Sequence, residues 1–106
     1  MDVEACTKAG IALVITPDGV RRPVAVSIIT LMLALSRNIA PAYQSLIEGR
    51  WDRNKYMGAQ VAGKTLGVVG LGRIGLAVAS RARGLEMRVV GYGPFMGKEK
   101  GGELGC

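Results

Sequence analysis

Three glycines carry the clearest chemical signal in this chain. They stand in the string Gly70-Leu71-Gly72-Arg73-Ile74-Gly75, which fits the spacing G-x-G-x-x-G. The chemistry this spacing serves is the holding of a pyrophosphate rather than the making of a bond. Gly70 allows a tight turn out of a strand. Gly72 leaves the backbone bare, so that phosphates can approach it. Gly75 lets the next helix lie close on the sheet. Free N–H groups and the positive dipole end at the helix start then face the anion, with Arg73 and Ile74 as the first donors. The same string also occurs in plain strand–turn–helix packing, so its meaning depends on its flanks.

The flanks supply the needed elements. Leu66 to Val69 is an apolar run of strand type. Ile74, Ala77, Val78, Arg81 and Ala82 recur at helical spacing, and Met87 to Tyr92 is a second β-type run. The order is strand, glycine turn, helix, strand. Upstream, Val3 to Ala9 reads as a short helix stopped by Gly10, and Ile11 to Ile15 as a buried strand. Thr16-Pro17-Asp18-Gly19 has the composition of a turn. Pro23 opens a helix at its first turn, where a missing N–H is harmless. From Val24 to Leu35 that helix is apolar nearly all round, broken by Ser27 and Thr30. Such a helix is buried on all sides or spans a membrane. It is shorter than the roughly 18–20 residues a bilayer needs. A core or interface helix is therefore expected despite flanking Arg21, Arg22 and Arg37, covered by a second lobe or subunit. Asn38 to Pro41 breaks the pattern, and Ala42 to Glu48 reads as a short helix ending at Gly49. Trp51 reads as a packing anchor and Asn54 to Ala62 as an irregular connector.

Composition narrows the function classes. The chain has 106 residues, at most one small domain. Its net charge is +6, from 14 basic and 8 acidic residues. The basic residues are scattered, never more than two in a row, and lack interleaved aromatics, which argues against nucleic-acid binding. A basic surface also suits a phosphate-bearing cofactor. Cys6 and Cys106 form no C-x-x-C, and there is no histidine. No metal site and no disulfide framework are expected, and a reducing cytoplasmic compartment is the default. The acidic start Met1-Asp2-Val3-Glu4 lacks the basic region of a signal peptide. A second string, Gly58 to Thr65, fits G-x-x-x-x-G-K-[ST] letter for letter. A phosphate loop needs a strand before it and a helix after it, and here the order is inverted, so nucleoside-triphosphate binding is not expected.

Taken together, Gly63-Lys64-Thr65-Leu66-Gly67-Val68-Val69-Gly70-Leu71-Gly72-Arg73-Ile74-Gly75 resembles the D-isomer-specific 2-hydroxyacid dehydrogenase family. Ala5 to Ile11, Thr16 to Val20, Leu33 to Arg37 and Gly49-Arg50-Trp51 support the match, which runs from Asp2 to about Met96. The resemblance implies an α/β chain with a partial Rossmann-like fold: one strand–helix–strand dinucleotide unit preceded by a long apolar inter-lobe helix. Residues 1–17 would end a substrate-binding lobe. Residues 18–62 would be the inter-lobe helix and a dimerisation-type arm, and 63–96 would start the NAD(P)-binding lobe. Residues 97–106, a Gly/Lys/Glu stretch, read as a disordered tail. Implied partners are a small 2-hydroxy or 2-oxo acid in the intact enzyme and a second copy as homodimer, with no nucleic acid and no membrane. The expected cofactor is NAD, held by Gly70, Leu71, Gly72, Arg73, Ile74 and Gly75.

The departures set limits. The family's catalytic arginine, carboxylate and histidine lie beyond the fingerprint, and the chain ends before them, so no catalytic residue is transferred. The isolated chain is expected to be inactive. The family usually carries Tyr-Asp-Pro after the second strand, whose Asp accepts hydrogen bonds from the adenosine ribose. Here the triplet is Tyr92-Gly93-Pro94. That change either weakens NAD binding or makes room for the 2′-phosphate of NADP, with Lys98 or Lys100 as counter-charge. Glu86 stands where the family commonly has glycine, and the sequence offers no account of it. The function expected is an NAD(P)-binding segment of an oxidoreductase acting on the CH–OH group of small 2-hydroxy acids. The other readings are a non-catalytic dinucleotide-binding or dimerisation module and an inactive truncated product.

Overall fold

The computed structural model describes residues 1–16 and 18–94. The element order is α1 (Val3–Lys8), α2 (Arg21–Ser36), α3 (Ile39–Ile47), β1 (Thr65–Val69), α4 (Arg73–Gly84) and β2 (Arg88–Tyr92). The two strands pair in parallel, from Thr65 beside Arg88 to Val69 beside Tyr92. A parallel pair needs a crossover, and α4 supplies it. Residues 97–106 and the two lysines proposed as counter-charge lie outside the described residues.

A small apolar core lies between α4, the sheet and α2. Ala79, Ala82, Met87 and Val89 are buried there, with Ile29 and Met32 of α2 and Leu66 and Val68 of β1 packed against them. The small alanines let α2 and the sheet approach α4 from two sides. Ala25 of α2 is buried as well, whereas Val26, Leu31 and Leu35 of the same helix are exposed, Leu35 at 79%. The apolar helix that the sequence expects to be buried is thus half-covered by this chain. No single helix is long and apolar enough to cross a membrane among the described residues; α2 and α3 pass that test only together, and the chain bends by 62° between them.

Three sequence expectations change. Ile11 to Ile15 forms no strand, and Val14 is 83% exposed. A strand needs a neighbour's free edge, and this segment has none beside it. The break before α3 is also shorter than expected. Asn38 alone takes the left-handed conformation (φ 52°), and Pro41 sits inside the first turn of α3, where its missing N–H is harmless. Trp51 does not anchor the arm within this chain and is 78% exposed. Its neighbour Arg50 instead pairs with Glu48 at 2.5 Å and with Asp52 at 3.6 Å.

The helix ends explain Glu86. Among the described residues, each of the four helices is followed by a residue with positive φ: Gly10 (67°), Asn38 (52°), Gly49 (74°) and Glu86 (60°). After α4, the Met87 N–H donates to the Ala82 carbonyl at 3.1 Å and the Glu86 N–H to the Arg83 carbonyl at 2.9 Å. After α1, Ile11 and Gly10 make the same pair of bonds to Cys6 and Thr7, and after α3, Arg50 and Gly49 make them to Ser45 and Leu46. This is the Schellman ending, which favours glycine at the left-handed position. Two of the helices have it. At the end of α4 the glycine, Gly84, stands two places early, inside the last helical turn. Glu86→Gly should therefore stabilise the chain by about 1 kcal/mol by removing the penalty on a side chain at positive φ. Urea unfolding followed by circular dichroism reads this as a higher midpoint at unchanged slope.

Candidate dinucleotide site

β1 ends at Val69 and the chain turns sharply at Gly70, whose φ of 97° excludes an ordinary side chain. The Gly70 N–H donates to the Tyr92 carbonyl at 2.7 Å, so the turn is fastened to the end of β2. Leu71 then leans over β2. A methyl group built on Gly91 would lie 2.5 Å from Leu71 Cδ1. Gly75 faces inward, and a methyl group there would overlap the Gly70 carbonyl oxygen and stand 3.3 Å from Val68 Cγ1. That close approach brings the first turn of α4 onto the end of β1.

Gly72 behaves differently. Its φ of −79° and ψ of −167° suit any residue, and a methyl group built on it meets nothing within 4 Å. Neither backbone conformation nor internal packing accounts for a glycine here. The bare side faces open space at the N-cap of α4. No side chain caps that helix, and no acid lies in its first turn. The Leu76 N–H bonds back to the Gly72 carbonyl at 3.0 Å. The N–H groups before it, those of Arg73, Ile74 and Gly75, are the ones that a helix start leaves without an intrahelical acceptor. The arrangement fits an anionic group with a flat approach to the backbone.

The structure thus brings all six fingerprint residues, Gly70 to Gly75, into one turn. Gly93 follows Tyr92 directly and lies beside that turn, since Tyr92 accepts the Gly70 hydrogen bond. Among the described residues after β2 there is no carboxylate. The look-alike phosphate-loop string has structural uses instead. A methyl group on Gly58 would overlap the Ser36 carbonyl and lie 2.6 Å from Arg37 Cα, so glycine lets the connector cross the end of α2. Gly63, at φ 75°, turns the chain into β1 and donates to the Glu86 carbonyl at 2.9 Å. A strand follows it, as its inverted order requires. One neighbour of the site carried no sequence signal. Asp18 Oδ1 lies 3.4 Å from Arg73 Nη1 across 55 residues of chain.

A parallel strand pair joined by a helix, with a bare glycine at an uncapped helix start, defines a dinucleotide-binding segment of Rossmann type. Residues 29–106 match the family model of the D-isomer specific 2-hydroxyacid dehydrogenase, NAD binding domain. The chain belongs to that family. It is 46% identical over 105 residues to D-3-phosphoglycerate dehydrogenase of Archaeoglobus fulgidus, and 40% identical over 105 residues to the enzyme of that name from Rattus norvegicus. In each case the match covers 99% of this chain and 20% of the relative, so the chain spans about a fifth of their length. Among solved structures it is similar to apo D-lactate dehydrogenase from Escherichia coli, with a TM-score of 0.83 and 32% identity over 98% of this chain and 33% of that one. A glyoxylate reductase from Paecilomyes thermophila superposes with a TM-score of 0.79 at 34% identity, over 94% of this chain and 30% of that one.

Proposed function

We propose that this chain seats the pyrophosphate of NAD on the turn Gly70 to Gly75, as the cofactor-holding segment of an NAD-dependent 2-hydroxyacid dehydrogenase. The observation that carries the proposal is the bare side of Gly72 next to the uncapped N–H groups of Arg73, Ile74 and Gly75. Nothing inside the chain calls for a glycine at that place, and a bound phosphate does. In the longer protein the nicotinamide exchanges a hydride with the α-carbon of a small 2-hydroxy or 2-oxo acid. The residues of this chain hold and orient. Gly70 and Gly75 set the turn, and Leu71 fixes it on β2. Arg73 and Ile74 donate backbone N–H groups, with the Arg73 guanidinium adding charge at the helix start.

The other parts of the chain fit the same assignment. Residues 1–17 would close a substrate-binding lobe and 18–62 would form the inter-lobe helix and the arm of a homodimer. Residues 63–96 would open the cofactor lobe. The bare faces of α2, and Trp51 at the surface, suit an element that other parts of the protein cover. No histidine occurs in the chain, so proton transfer to the substrate would need a group from elsewhere. A second reading is a non-catalytic dinucleotide-binding or dimerisation module. Turnover of glyoxylate or hydroxypyruvate by this chain alone would reject that reading.

Calorimetric titration with ADP-ribose, which carries the pyrophosphate and both riboses, tests the seat. Weak saturable binding is expected. Absence of heat and of any melting shift at millimolar ligand would sink the proposal. Gly93→Asp restores a charged acceptor beside the turn and should tighten NAD by about 10- to 100-fold, the worth of a charged hydrogen bond to hydroxyls. The same variant should weaken NADP, and paired titrations with the two cofactors measure both effects. Tighter binding of NADP than NAD by the unaltered chain would favour the 2′-phosphate explanation of Gly93.

A further inference from the structure

A cleft beside the first turns of α4 gathers four arginines. Arg73 and Arg81 come from α4, Arg21 and Arg22 from the start of α2, and Ser80 of α4 lines the same cleft. Positions 73, 77, 80 and 81 share one face of the helix, so their grouping is built into rigid structure. Asp18 is the carboxylate that reaches this set among the described residues. It stands 3.4 Å from Arg73 and 3.7 Å from Arg21, between the two guanidinium groups. Arg81 turns one N–H back to the Ala77 carbonyl at 2.8 Å. Arg22 has no carboxylate within ion-pair reach among the described residues. The start of α2 adds to the same sign, since it has no side-chain cap and no acid in its first turn.

Four like charges lining one cleft repel one another, and a single carboxylate offsets part of that repulsion. A tetrahedral dianion offsets more. Guanidinium forks match phosphate oxygens in pairs, and the Ser80 hydroxyl can donate to a further oxygen. We propose that this cleft is a phosphate-binding site beside, and distinct from, the pyrophosphate seat. Its ligand is a small phosphoryl-bearing anion, and the Asp18 carboxylate holds that anion's place until it binds. Arg73 borders both sites; otherwise the cleft does not depend on the cofactor assignment. The phosphoryl group can come from a free metabolite or from a nucleotide that also occupies the turn.

Titration of the chain with inorganic pyrophosphate at low ionic strength tests the site. Arg22→Gln should weaken binding about three- to tenfold, the scale of an exposed charge pair strengthened by a cluster. Asp18→Asn should tighten it by a similar factor, because the competing carboxylate is gone. Gly72→Val, which closes the dinucleotide seat, should remove one pyrophosphate-binding event and leave a second, the one that Arg22→Gln weakens. The proposal is overturned if Asp18→Asn leaves affinity unchanged or lowers it. It is also overturned if Gly72→Val abolishes binding while Arg22→Gln does not, since pyrophosphate would then use the turn alone. Arg22 is exposed, so its replacement leaves the fold intact, and far-UV circular dichroism checks this. ADP-ribose titrated into Arg22→Gln separates the sources. Loss in parallel with pyrophosphate supports a nucleotide-borne phosphate in the cleft, and an unchanged affinity supports a free one. Failure of ADP-ribose to bind the unaltered chain counts against the cofactor seat and leaves the cleft standing.

Discussion

Gly72→Val should remove dinucleotide binding at little cost to stability. The valine side chain would enter open space, since even a methyl group there meets no atom within 4 Å. Its backbone angles are ones valine adopts freely. Folding therefore suffers only through the poorer N-cap residue, at a cost of about 0.5–1 kcal/mol. The pyrophosphate, however, must come within hydrogen-bond reach of the Arg73 and Ile74 N–H groups. Two branched methyls over that approach would hold it off. A loss of about 100-fold or more in ADP-ribose affinity is expected, as several charge-assisted hydrogen bonds go at once. Calorimetry and a melting curve of the unliganded protein read the two halves separately. A melting point that falls well beyond that capping cost would mean that Gly72 serves the fold rather than a ligand.

Gly75→Ala should do the reverse. Its methyl would overlap the Gly70 carbonyl oxygen, and Val68 Cγ1 stands 3.3 Å away. Backbone cannot swing aside as a flexible side chain can. Either α4 lifts from the end of β1 or the Gly70 turn opens. The second route breaks the 2.7 Å bond from the Gly70 N–H to Tyr92. Both disturb the small core cluster of Ala79, Ala82, Met87 and Val89. The expected loss is about 3 kcal/mol, at the upper end for overpacking because the obstacle is main chain. Urea unfolding should show a clear drop in midpoint, with cofactor affinity falling as a consequence. An unchanged midpoint would mean that α4 sits farther from β1 than described. The pair of variants is the sharper test. One glycine of the turn serves the ligand and another serves the packing, though the sequence writes them three places apart with the same letter.

The strand–turn–helix–strand order was legible because each element there is fixed by near neighbours. The apolar run before Gly70, the helical spacing from Ile74 and the β-branched pair Val89-Val90 each state their own conformation. Ile11 to Ile15 carries an equally apolar run, yet it is no strand, because a strand is a relation between segments. Periodicity cannot tell whether a partner edge exists. Trp51 fails in the same way, since an anchor needs something to hold. The use of Glu86 was hidden for a different reason. Its importance lies in a backbone angle, and glutamate gives no letter-level sign of positive φ. Asp18 was illegible because 55 residues separate it from Arg73. The helix packing of α2 on α4, rather than any motif, brings the two together.

The parallel register has a consequence for how the seat is made. Thr65 and Arg88, side by side at the start of the sheet, are 23 residues apart. The contacts that fasten the backbone of the glycine turn, Gly70 to Tyr92, Leu71 to Gly91 and Gly75 to Gly70, fall within that short span or just past it. Such local closure is quick, and it lowers the separation in sequence that folding must overcome. On a ribosome, where the chain emerges from its N-terminus, α2 is already outside when β1 and α4 follow. The turn can close as soon as β2 clears the exit tunnel, and its assembly then depends on the order of synthesis more than on any distant part of the chain.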